Sequence, residues 1–259
     1  MRAGRPRTVA AVATAALLVL AGCGGAGATA GGGSTGGTVT VFAAASLTES
    51  FTRLGRDFEA TREGATVVFN FAGSAALAAQ INQGAPADVF ASAATRNMAT
   101  VTGAGNAAGD PAVFVRNQLV VAVPKGNPRG VVRLADLARP GVKVALCAEQ
   151  VPCGAAARTA LDAASVTLTP VTLEQDVRGA LSKVRLGEVD AALVYRTDAL
   201  AAAADVTAVE FPESARAVND YPIVALRDAP NPDGARAFVA YVRSERGRAV
   251  LTEAGFQAP

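Results

Sequence analysis

The spacing of apolar residues changes along the chain, and each change marks an element. Residues 38–43, TVTVFA, place Val39, Val41 and Ala43 on one side of an extended run, which predicts a buried strand. After Ser46 the period lengthens. Phe51, Leu54 and Phe58 fall three and four positions apart, which predicts a helix. The exchange then repeats, with strands at 67–71 and 88–91 and helices at 75–83 and 95–102. Residues 117–124, NQLVVAVP, predict a strong strand that opens a new section. Further strands are predicted at 143–146, 191–194, 206–211 and 222–226, and helices at 154–164, 176–186, 232–243 and 244–254. Such strand–helix–strand units imply an α/β architecture with mostly parallel sheets. No repeat of fixed period and no Gly/Ser linker divides this body, so the pattern itself marks no domain boundary.

Ahead of the body the pattern differs. Arg2, Arg5 and Arg7 precede a mostly apolar run at 9–20, VAAVATAALLVL. That is the length of a signal-peptide core and too short to span a bilayer comfortably. Leu20, Ala21, Gly22 and Cys23 follow and resemble the lipobox of bacterial lipoproteins, where cleavage precedes the Cys and its sulfur takes the lipid. The expectation is a signal peptide at 1–22 and a lipidated Cys23. The chain would then be exported and anchored to the outer face of the cell membrane without spanning it. An ordinary signal peptide with an incidental Cys is the alternative. The glycine-rich stretch after Cys23 lacks the preceding strand and following helix that a phosphate-cradling loop needs, so 23–38 reads as anchor and flexible tether.

Composition removes several classes of function. The 259 residues are 51% hydrophobic and 18% charged, enough for one large domain or two modest lobes around a sizeable core. Histidine is absent, which excludes Ser-His-Asp and Cys-His mechanisms and most zinc sites. The net charge of +2 owes three arginines to the leader; without them 21 basic residues face 22 acidic ones. That balance does not suggest a nucleic-acid binder.

In open α/β sheets ligands sit outside the carboxyl ends of strands, where helices begin. The turns there hold Ala44, Ala45 and Ser46; Ala72, Gly73, Ser74 and Ala75; Val151, Pro152, Cys153 and Gly154; and Glu174, Gln175, Asp176 and Val177. They carry almost no charge but offer hydroxyls and helix-start N–H groups, which suit an anion. Taken singly, Ser46 and Ser74 read as helix caps. These turns alone point to a small-anion binder and no further.

Several stretches then resemble one family. Residues 39–47 (VTVFAAASL), 84–90 (GAPADVF), 174–181 (EQDVRGAL) and 193–199 (LVYRTDA) are similar, in order and spacing, to the molybdate-binding proteins of bacterial ABC importers; Phe211, Pro212, Glu213, Tyr221 and Pro222 continue the series. The resemblance implies a two-lobed, periplasmic-binding-protein-like (type II) α/β fold with the ligand cleft between the lobes. By analogy lobe I is 39–117 with 220–259, and lobe II is 118–219. It also implies a molybdate site: the hydroxyl and backbone N–H of Ser46, Ser74 as the second binding Ser, the backbone N–H of Cys153 and of Val177, and the phenol of Tyr195. Gly73 stands where some relatives carry a Ser beside the binding Ser, and Cys153 replaces a small inert residue.

The implied cargo is molybdate or tungstate, held by neutral donors without a first-layer Lys or Arg. The metal enters as the oxyanion, so no side chain ligates a metal directly and no cofactor is expected. The implied partner is the importer's membrane permease, the chain a monomer, and its role capture rather than catalysis. Cys147 and Cys153, six positions apart in an exported chain, invite a disulfide, with two unpaired thiols as the alternative. A binding protein for sulfate or another oxyanion is the competing reading. Lower alternatives are a surface sensor, or an enzyme using Asp88, Asp176, Asp190 or Asp198. Asp88 and Asp190 fall at strand starts, the wrong end for a cleft, and Asp176 falls where a cap is the simpler role.

Overall fold

The computed structural model describes residues 36–259, so the leader, Cys23 and most of the tether lie outside the described residues. Two five-stranded sheets carry the fold. The first half runs β1 Gly37–Ala44, α1 Thr48–Ala60, β2 Ala65–Ala72, α2 Ser74–Asn82, β3 Val89–Ala91, α3 Thr95–Gly103 and β4 Ala112–Asn117. The second half runs β5 Leu119–Pro124, β6 Val144–Cys147, α4 Pro152–Ala163, β7 Thr172–Glu174, α5 Val177–Arg185, β8 Ala191–Tyr195, α6 Arg196–Ala201 and β9 Val206–Val209. The chain then returns through β10 Asn219–Ala225, α7 Pro232–Val242 and α8 Glu245–Glu253. Among the described residues no helix is long and apolar enough to cross a membrane.

One sheet has the order β2-β1-β3-β10-β4 and the other β7-β6-β8-β5-β9. Each has three parallel strands, then a reversed strand, β10 or β5, bonded antiparallel on both sides. Four of the five strands in each sheet therefore run the same way, which agrees with the expectation of mostly parallel sheets. The reversed strand is the first one formed after the chain crosses between sheets, so its direction follows from the crossing and not from its own residues. The crossing corrects the single strand at 117–124. Asn117 closes β4, Gln118 lies between, and β5 starts at Leu119 in the other sheet. A continuous β-branched run cannot announce that its two ends pair with different partners. The short β7 and α6 carry too few periodic positions to be read from sequence, and neither was.

Each sheet buries both faces, as a helix-covered sheet must. In β1, Val39, Val41 and Ala43 face one core, where Phe51, Phe58 and Phe238 meet edge to face. Phe42 points the other way, onto Leu77, Ile81 and Met98. The alternation that predicted β1 is therefore a division between two cores.

Asp88 ties these layers together. Its buried carboxylate accepts from Thr40 N at 2.7 Å and Asn231 N at 2.6 Å, joining β1 to the start of α7. Asn231 in turn caps α7 through Gly234 N. Asp190 accepts from Lys143 N and the Arg129 guanidinium on the other lobe's sheet. Both carboxylates are occupied by structure. Asp88→Asn turns a donor toward one of those two N–H groups and is expected to lower unfolding free energy by about 2–3 kcal/mol, measured by urea denaturation.

Candidate functional site

The four helix-start turns picked out by sequence converge between the two sheets. Ala44, Ala45, Ser46, Gly73, Ser74 and Ala93 line a small cavity from one side, and Val151, Pro152, Cys153, Asp176, Val177 and Tyr195 from the other. All five residues implied by the resemblance, Ser46, Ser74, Cys153, Val177 and Tyr195, are on this lining. The space is about 20 Å³ measured to the centre of a water-sized sphere. Taken as a sphere and drawn to its walls, that is a hole about 3 Å in radius, the scale of one tetrahedral oxyanion. A larger cavity of about 440 Å³ lies along α4, but its Arg158 and Asp162 are paired with each other.

What matters is which donors remain unspent. Neither Ser is a cap: Ser46 sits inside a 3-10 turn, and Gly73 occupies the N-cap position of α2, with no side-chain cap at either. The capping reading is corrected on both. Ser74 Oγ instead accepts from Ala93 N at 3.0 Å, which leaves its own proton free to donate. Ser46 Oγ and the Tyr221 hydroxyl share a hydrogen bond of 2.9 Å. With Tyr221 donating, the Ser46 proton also points elsewhere. Tyr195 OH is buried with no hydrogen-bond partner among the described residues. Ser74, Cys153 and Val177 lie in the first turn of their helices, and no backbone carbonyl takes up their N–H groups among the described residues.

A buried donor without an acceptor costs free energy, so such a cluster marks a place for an acceptor. Among the described residues the lining holds no Lys or Arg, and its one charged side chain is Asp176. That carboxylate is engaged as the N-cap of α5, accepting from Gly179 N. An acceptor-rich, donor-free guest of small size fits this chemistry.

A model of the bacterial extracellular solute-binding proteins matches residues 39–257. The chain belongs to that family. The molybdate-binding protein ModA of Mycobacterium tuberculosis is 47% identical over 222 residues, covering 86% of this chain and 85% of the relative. Among solved structures, the periplasmic molybdate-binding protein of Azotobacter vinelandii superposes with a TM-score of 0.75 at 22% identity, over 85% of this chain and 99% of its own. The sulfate-binding protein SubI of M. tuberculosis gives 0.72 at 19%, over 85% and 86%. Both likenesses show the two-lobed fold.

In this solute-binding protein the second cleft wall is braced covalently. Cys147, at the end of β6, and Cys153, in the first turn of α4, form a disulfide with Cα atoms 5.7 Å apart. The bridge closes the loop that carries the Cys153 N–H. Gly154 completes it: a Cβ there would overlap the Ala148 carbonyl. From the first lobe, Arg96 Nη2 donates to the carbonyls of Glu149 at 2.7 Å and Val151 at 3.0 Å, holding the same loop across the cleft.

Sequence reasoning did not assign roles to Tyr221, Arg96 or Ala93. Tyr221 lies 175 positions from Ser46, and nothing local in either stretch announces their contact. Tyr221, Tyr195 and Phe256 stack edge to face behind the cavity. Burial raises both phenols well above their ordinary range, so each keeps its proton to donate.

Asp198 lies beneath Tyr195 and accepts from Tyr195 N at 3.1 Å. Burial pushes its carboxyl up to about 8, against the pull of that N–H and with a smaller push from the Glu49 charge. At neutral pH it is mostly uncharged, which spares an incoming anion a buried negative neighbour. Because its folded value lies above its unfolded one, its contribution to stability is complete below about pH 4 and is lost as pH rises toward 8. Across that window wild type is expected to lose stability relative to Asp198→Asn by up to about 1.4 kcal/mol per pH unit, read from denaturation midpoints between pH 5 and 8. A constant difference between the two proteins would contradict it.

Proposed function

We propose that this chain captures molybdate between its lobes and delivers it to the membrane permease of an ABC importer. The observation that carries the reading is the set of unspent neutral donors converging on one oxyanion-sized cavity, the partnerless Tyr195 hydroxyl above all. The 47% identity to a molybdate-binding relative across 86% of the chain supports the same cargo. Ser46, Ser74 and Tyr195 donate O–H groups, and Cys153 and Val177 donate N–H groups. Lobe I is 39–117 with 220–259 and lobe II is 118–219, a division supported by the separate membership of the two sheets.

A cage of donors with no acceptor discriminates by protonation and size. Phosphate is partly protonated at neutral pH, and its extra O–H would face other donors. Sulfate carries no proton, so only its smaller size weakens it. Tungstate is nearly the size of molybdate and is bound as well. A lysine or arginine in contact would bind harder but would accept anions more indiscriminately. The role is capture and release, with no covalent chemistry. The protein acts as a monomer, tethered to the outer face of the membrane through a lipid on Cys23.

Thermal unfolding with each anion tests the cargo. At 100 times its Kd a ligand stabilises by about 2.7 kcal/mol, a Tm rise of roughly 5–10 °C at this size. Molybdate and tungstate are expected to produce it; a rise with sulfate alone would reassign the cargo, and no rise with any anion would remove the oxyanion reading. Ser46→Ala and Tyr195→Phe should each weaken molybdate binding by about 1–3 kcal/mol in calorimetry. For the anchor, Cys23→Ala is expected to move the protein out of the membrane fraction, and its retention there would argue against lipidation.

A further inference from the structure

The two walls of the cleft touch at a point where one atom is missing by design of the sequence. Gly73 precedes Ser74 on the first lobe, and the carbonyl of Gln175, two residues before Val177, lies against its α-carbon. A Cβ on Gly73 would come within 3.0 Å of Gln175 O, closer than real Cβ atoms approach; its next neighbours, Gln175 C at 3.5 Å and Asp176 Cβ at 3.6 Å, are on the same opposing turn. The backbone of Gly73, at φ −60° and ψ 134°, is one that any residue adopts. Glycine is therefore demanded here by the opposite lobe and not by the local turn.

We infer that Gly73 is the gauge of lobe closure: by lacking a side chain it lets the 72–75 and 174–177 turns meet, and so sets the separation of the Ser74 and Val177 donors and the size of the cavity. The inference rests on the oxyanion reading of that cavity for its ligand, but the gauge itself is a contact between lobes. Two other ties cross the same cleft, Arg178 with Glu49 and Arg96 with the carbonyls of Glu149 and Val151. Both use long side chains that can follow a moving partner. The Gly73 contact is backbone against backbone and cannot yield in that way, so it fixes where closure stops.

Gly73→Ala keeps every donor of the cage. Its methyl meets nothing closer than ordinary contact within its own lobe, so the open protein should fold as wild type does, apart from the slightly poorer N-cap. The test reads closure in two ways. If the methyl cuts the closed population to about a tenth, molybdate affinity by calorimetry falls about tenfold, and the compaction on binding seen by small-angle scattering shrinks. Separately, Glu49→Cys with Arg178→Cys, joined by a short bismaleimide, samples closure with no ligand present, and its cross-linking rate should drop about tenfold when Gly73→Ala is added. Gly73→Val should be worse on both readouts. Cross-linking at an unchanged rate in the Ala and Val variants would overturn the gauge. Slowed cross-linking in a chain that binds no oxyanion would uphold the gauge and remove only the cargo.

Discussion

A doubly charged anion taken out of water into a site without a countercharge must be met by hydrogen-bond donors that have nothing else to do. Most of this structure serves that constraint. Backbone amides in the first turn of a helix are the cheapest source of such donors, because the helix leaves them unpaired in any case. In the proposed cage three groups come from helix starts, and the hydroxyls that join them are placed so that a proton can be left over, for Ser46 when Tyr221 donates. Ser74 accepts from Ala93, Ser46 shares with Tyr221, and the Tyr195 hydroxyl is buried without a hydrogen-bond partner among the described residues.

Gathering those donors around one hole about 3 Å in radius requires rigid turns. Two sheets of equivalent order, each helix-covered, present their strand ends to one another. The loop between β6 and α4 is tied by the disulfide, by Gly154 packed on the Ala148 carbonyl and by Arg96 from the other lobe. Apart from Asp176, which lines the cavity but is engaged as the N-cap of α5, charge is kept at one remove. Asp198 sits just below the cage, yet burial holds its proton on at neutral pH. The carboxylates that could have suggested an enzyme are engaged elsewhere: Asp88 and Asp190 in strand-to-backbone bonds, and Asp176 in capping α5.

Much of this was legible in the chain. The strand β1 and the helix after it follow from Val39, Val41, Phe51, Leu54 and Phe58, whose spacing is a local property. The turns at Ser46, Ser74, Cys153 and Val177 could be located because a strand followed by a helix must have a turn between them. Two local signals misled. Ser at a helix start reads as a cap, but both serines are turned toward tertiary partners. The run at 117–124 reads as one strand, but a crossover divides it at Gln118.

By itself the sequence determined most of the elements, their α/β order, the absence of histidine chemistry and the polar, sparsely charged character of the helix-start turns. Each of these depends on neighbours within a few positions. Only the tertiary structure decided that five such residues share one cavity, that Tyr221 supports Ser46 from 175 positions away, and that Gly73 is answerable to Gln175 across the cleft. These are facts of packing between lobes. Which donor is left unspent depends on what lies opposite it, and no local pattern of residues carries that information.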